Sequence, residues 1–138
     1  MNSTYYSALD CDDERYVAAR AIQLFAKGVP QVYYVGLLAG ANDNAAVERT
    51  GDGRAINRHD YTVDEVGDAL GRPVVGRVLE LVRLRNTHPA FDGALDVAGD
   101  GSSLQLRWNK GDATCVLDVD LASGRAAVTA AVPESTVP

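Results

Sequence analysis

The chain has 138 residues, 13 basic and 19 acidic, for a net charge of −6; 46% of them are apolar and 23% charged. That acidity excludes a surface built to neutralise a phosphate backbone, the apolar share excludes disorder throughout, and no apolar run approaches the roughly 20 residues that span a bilayer. Neither nucleic acid nor a membrane is expected as a partner, and one domain or slightly less fits this length.

Met1–Tyr6 has no basic stretch followed by an apolar core, so no secretory signal is expected, and Asn2-Ser3-Thr4 matches the glycosylation sequon by accident. Cys11 and Cys115 stand far apart without a CxxC partner, and only His59 and His88 could join them as soft ligands. No zinc-like ligand set is present, and two reduced thiols in a cytoplasmic protein are expected.

Asp12 is a good N-cap, with Asp13 and Glu14 placed where the helix dipole favours negative charge. Val17, Ala18, Ala21, Ile22 and Phe25 then recur at helical spacing, which predicts a helix over Asp13–Lys27, stopped by Gly28 and Pro30. The acidic cluster Asp10, Asp12, Asp13, Glu14 reads as helix-start electrostatics rather than a metal site. Gln31–Val35 is β-branched and aromatic, which predicts a strand buried on both faces, as in a parallel sheet. Tyr33 and Tyr34 are then sheet core rather than a platform for sugar.

Gly36–Tyr61 reads as a long, glycine-bearing connection, and such loops at the carboxyl end of a parallel strand are commonly functional. Thr62-Val63-Asp64-Glu65 is a capping box opening a helix to Leu70. Pro73 suits the first turn of the next helix, whose stripe is Val74, Val75, Val78, Leu79 and Val82 and which runs to Arg85. Leu95–Ala98, Leu104–Trp108, Thr114–Val119 and Ala126–Ala130 then predict a small antiparallel meander, with turns at Asp100-Gly101 and Asn109-Lys110-Gly111. The tail from Pro133 is expected to fray.

No G-x-S-x-G, H-E-x-x-H, phosphate-binding loop or dinucleotide fingerprint is present, so no catalytic residue is assigned. Gly51-Asp52-Gly53 lets the backbone turn tightly before Arg54, whose guanidinium suits a phosphate or sugar hydroxyls but from the residues alone reads first as a surface arginine on a flexible loop. Arg58 is placed to pair with Asp60 or Glu65 as an ordinary surface ion pair. His59 reads as a hydrogen-bonded loop residue before it reads as a general base.

Several stretches in this order resemble the C-terminal part of the sucrose phosphorylases, a branch of the α-amylase-like glycoside hydrolase superfamily. They are Asn2–Leu9, Gly28–Gly36, Leu38-Ala39-Gly40 with Asn42-Asp43, Gly53-Arg54 with Ile56-Asn57-Arg58-His59, Arg72–Val75, and Arg85-Asn86 with Ala90–Gly93. The resemblance implies an α/β fragment: the last strand and helices of a (β/α)8 barrel over residues 1–92, with an active-site insertion over 36–70, then a small antiparallel β C-terminal domain over 93–138. It implies a glycosyltransferase (hexosyltransferase) that moves glucose from sucrose to phosphate with retention, through a glucosyl-enzyme, releasing fructose, with no metal or organic cofactor in the chemistry. It also implies that the family's three working carboxylates precede Met1, since none of Asp10, Asp12, Asp13 or Glu14 matches them. The chain alone is then expected to be inactive. Arg54 matches the family arginine that contacts the fructosyl unit or phosphate, which makes it the one substrate-binding residue carried over. A sucrose 6′-phosphate or related glucoside phosphorylase, and a non-catalytic sugar-binding or interaction module, are the alternative readings. An exposed strand edge would invite self-association.

Overall fold

The computed structural model describes residues 2–132. The chain forms two compact units, one holding Gln31–Leu79 with the residues up to Val17, the other holding Ala18–Pro30 with the described residues from Glu80 onward. The expected fraying from Pro133 lies outside the described residues. No helix among those described is long and apolar enough to cross a membrane.

Helix α1 (Asp13–Phe25) starts as its caps dictate: Asp12 Oδ1 accepts the Arg15 N–H at 3.0 Å, and Asp13 and Glu14 occupy the first turn. It ends at Phe25 rather than Lys27, ahead of Gly28 at φ 114°. Val17, Ala18, Ala21 and Phe25 are buried as predicted; Leu24 joins them and Ile22 is half-buried.

Gln31–Val35 is not a strand, which corrects the sequence reading. Tyr33 is extended (φ −71°, ψ 148°), and Tyr34–Leu37 then forms a single helical turn, α2. A β-branched and aromatic run fits a pleated surface, but a strand exists only where a neighbour satisfies its ladder groups. No described strand pairs here. The Leu37 and Leu38 N–H groups instead donate to the Tyr33 and Tyr34 carbonyls at 2.9 and 3.1 Å. Tyr33 and Tyr34 are accordingly exposed, by 56% and 40%, and are not core.

The stretch Gly36–Tyr61 is not irregular either. It contains α3 (Asn44–Thr50) and a 3₁₀ turn over Ala55–Asn57. Asp43 caps α3 through the Ala46 N–H at 2.8 Å, and Gly51 closes it in the left-handed region at φ 69°. The predicted capping box is present at α4 (Val63–Leu70): the Glu65 N–H donates to Thr62 Oγ1, and the Thr62 N–H donates to Glu65 Oε2 at 2.7 Å. Helix α5 (Pro73–Thr87) begins on Pro73 and buries Val74, Val75, Val78 and Leu81.

The four predicted strands are present as β1 (Ala94–Gly99), β2 (Ser103–Lys110), β3 (Ala113–Asp120) and β4 (Arg125–Ala131). They pair antiparallel in sequence order, with Leu95 opposite Trp108 and Trp108 opposite Cys115. The Asp100 carboxylate organises the β1–β2 turn. It accepts the Ser102 and Ser103 N–H groups, both at 2.8 Å, and these bonds hold its pKa down at about 2. Leu106 and Trp108 on β2 and Cys115, Leu117 and Val119 on β3 are buried on one sheet surface, and Val116 on the opposite face of β3 is buried as well. Trp108 anchors this unit. Its Nε1–H donates to the Phe25 carbonyl at 2.7 Å, and its ring lies 5.7 Å from Phe91, which packs edge-on against Phe25 at 5.1 Å. The Arg85 guanidinium lies over Phe91 and Trp108 at 4.6 and 4.9 Å, and burial holds its pKa below the usual arginine value.

Candidate functional site

The chemistry-bearing residues of the first unit gather on the segment from Gly40 to Glu65. Asn42 ties its start to the N-terminal stretch: its Oδ1 accepts the Thr4 N–H at 2.7 Å, and its own N–H donates to Ser7 Oγ at 2.9 Å. Gly40 sits where no side chain fits, because a Cβ there would overlap Tyr61 Oη and stand 2.7 Å from Val35 Cγ1. Arg72 donates to the Leu38 and Ala39 carbonyls at 3.3 and 3.0 Å. This braces Ala39, a fully buried residue at φ 49°, a backbone region costly for alanine.

Arg54 lies at an exposed turn after α3. Its N–H donates to Asp52 Oδ1 at 2.8 Å, the Ala55 N–H donates to the Asp52 carbonyl at 2.9 Å, and Asn2 Nδ2 donates to the Gly53 carbonyl at 3.2 Å. The backbone of the turn is thus bonded on both sides of Arg54. Two clefts of about 520 and 420 Å³ flank this segment, and Asp43 and His59 line both. Arg49 and Arg58 line the larger cleft; Arg54 lines neither.

His59 is hydrogen-bonded as the sequence suggests, and its partners are carboxylates. Its Nδ1 lies 2.6 Å from Asp43 Oδ2 and its Nε2 lies 3.1 Å from Glu65 Oε1. Both ring nitrogens can donate only in the imidazolium form. The hydrogen bond to Asp43, reinforced by Glu65, raises the His59 pKa above the usual imidazole value. The His59 bond lowers the Asp43 pKa, and the Thr62 bonds lead in lowering that of Glu65. Glu65 is thereby committed to His59 and Thr62, and no described residue forms the expected ion pair with Arg58. Tyr61 packs its ring edge-on against His59 at 4.6 Å, and Tyr34 Oη donates to the His59 carbonyl at 2.9 Å.

These shifts set a pH dependence. A raised His59 pKa gives a stabilisation that is complete below the unfolded imidazole value of about 6.5 and is lost as pH rises through the folded one. Lowered Asp43 and Glu65 values give a stabilisation that is complete above the unfolded carboxylate value of about 4 and is lost as pH falls through the folded ones. The thermal midpoint difference between wild type and Asp43→Asn is therefore expected to be greatest between about pH 4.5 and 6.5 and to shrink on either side. A difference that is flat with pH would contradict this.

The sequence reading missed the joining of Asp43 and Glu65 on His59. The available signal was Asp43 before Asn44–Thr50 with Gly51 after it, the N-cap and C-terminal glycine of a helix.

No protein-family model matches the chain. Individual relatives do. The chain is 51% identical over 122 residues to sucrose 6(F)-phosphate phosphorylase of Thermoanaerobacterium thermosaccharolyticum, covering 88% of this chain and 25% of that protein. It is 51% identical over 131 residues to sucrose phosphorylase of Agrobacterium vitis, covering 94% and 27%. Among solved structures, it superposes with a TM-score of 0.92 on the crystal structure of sucrose 6F-phosphate phosphorylase from Thermoanaerobacter thermosaccharolyticum, at 47% identity over 96% of this chain and 27% of that one. The chain spans about a quarter of the length of the curated relatives it matches. Over that quarter, this chain is homologous to the sucrose and sucrose 6(F)-phosphate phosphorylases.

Proposed function

We propose that these residues form the acceptor-side portion of a disaccharide phosphorylase, which moves a glucosyl group from sucrose or its 6F-phosphate to inorganic phosphate and releases the fructosyl part. The observation that carries this reading is the match in both sequence and coordinates, 47% identity at a TM-score of 0.92 over 96% of the chain. In this reading residues 1–92 are the closing part of a (β/α)8 barrel and 93–138 a small β domain. Helices α1 and α5 are the last two barrel helices in this reading. Residues 36–70 then cover the mouth of the barrel, at the end where such barrels bind their ligands.

Arg54 is the substrate-binding residue of this proposal. Its guanidinium is exposed on a turn whose backbone is bonded on both sides, so a planar, permanently charged group is presented at low ordering cost. Retention requires a carboxylate nucleophile and a carboxylic acid flanking the glycosidic bond. Asp43 and Glu65 are committed to His59 and to helix caps and are not offered to a sugar.

The test is formation of glucose 1-phosphate from sucrose, and separately from sucrose 6F-phosphate, each with phosphate. A phosphorylase carrying this segment is expected to turn over at least one donor, and the purified 138-residue chain to give only the blank rate. Turnover by the chain alone would overturn the division of labour proposed here.

A further inference from the structure

The assignment of Arg54 to the acceptor raises the question of what holds its turn, and the hydrogen bonds point to a residue that touches no sugar. We propose that His59 is the positioning residue for Arg54, acting by fastening both ends of the segment that carries it; this rests on the acceptor role of Arg54.

The segment from Asp43 to His59 is closed on itself. The Asp43 N–H donates to the Ile56 carbonyl at 2.9 Å, and the Asp43 side chain reaches His59 Nδ1 at 2.6 Å. The same carboxylate caps α3, so helix, turn and imidazole share one anchor. On its other side His59 Nε2 meets Glu65 Oε1 at 3.1 Å, while Glu65 Oε2 is held by the Thr62 N–H and Oγ1 at 2.7 and 2.8 Å. The closed segment is thereby fixed to the first turn of α4, a regular element. Tyr34 Oη on the main-chain carbonyl of His59 holds its backbone, and the Tyr61 ring packs against the imidazole at 4.6 Å. Without the imidazole, the Asp43–Ile56 backbone bond is left to close the segment, and the link to α4 is gone. Arg54 lies between the two fastened ends, so the loss is felt as misplacement of its guanidinium rather than loss of a contact. Misplacement of a binding group by about an ångström is enough to lower rates by an order of magnitude or more.

The experiment is a double-mutant cycle on KM for phosphate in an active phosphorylase carrying this segment, with His59→Ala, Arg54→Ala and the double variant. The expectation is a rise of about tenfold or more for His59→Ala, with no further rise when it is added to Arg54→Ala. His59→Asn, whose amide can still reach Asp43, is expected to lie closer to wild type than His59→Ala. Circular dichroism melts of each variant confirm that a folded enzyme is being compared. Increments that simply add would overturn the proposal, because His59 would then act independently of Arg54. An unchanged KM for His59→Ala beside a raised KM for Arg54→Ala would overturn it while leaving the Arg54 assignment intact. An unchanged KM for Arg54→Ala would overturn that assignment and this inference with it.

Discussion

Replacing Trp108 with alanine is expected to cost about 3–5 kcal/mol of stability. The side chain is 4% exposed and is the chain's one tryptophan. Its removal takes away the ring that packs on Phe91 and lies beneath Arg85, and it leaves the Phe25 carbonyl without the Nε1–H donor at 2.7 Å. The cavity term and the unpaired acceptor act in the same direction. A loss of that size is a large fraction of the roughly 5–15 kcal/mol that holds an ordinary domain folded. Trp108→Phe keeps an aromatic ring and loses the donor, so it is expected to fall between wild type and Trp108→Ala. Urea unfolding followed by far-UV circular dichroism, which does not need the tryptophan as reporter, measures all three. A midpoint for Trp108→Ala equivalent to less than about 1 kcal/mol would show that the Phe25–Phe91–Trp108 cluster is not what holds the β-rich unit together.

Much of this fold could be read from the sequence because its signals are local. The Asp12 cap, the Thr62–Glu65 capping box, Pro73 at a helix start and the alternation of Leu104, Leu106 and Trp108 all involve residues within a few positions of each other, and each marks an element that is present. Gln31–Val35 departs from its sequence signal for the opposite reason. Its composition favours a strand, but strand formation depends on partners that composition cannot supply, and the segment turns into α2 instead. Tyr33 and Tyr34 followed it out of the core. The Asp43–His59–Glu65 cluster was invisible for a related reason. Its members are brought together by closure of the Asp43–Ile56 segment, and a closure of that kind has no periodic signature. Arg54 was singled out by its glycine-flanked setting, but the residues that hold its turn were not.

The most direct test of the acceptor-side reading is how a phosphorylase carrying this segment partitions its glucosyl group between phosphate and water. A guanidinium bonded to a phosphate dianion contributes about 1.5–3 kcal/mol, or roughly ten- to a hundredfold in relative transfer rate. Water, being neutral, has no comparable need of that charge. Arg54→Ala is therefore expected to lower the ratio of glucose 1-phosphate to free glucose by at least about tenfold at fixed phosphate. Arg54→Lys, which keeps the charge without the planar fork, is expected to lie between the two. A ratio unchanged by Arg54→Ala would contradict the account, placing the acceptor away from this turn.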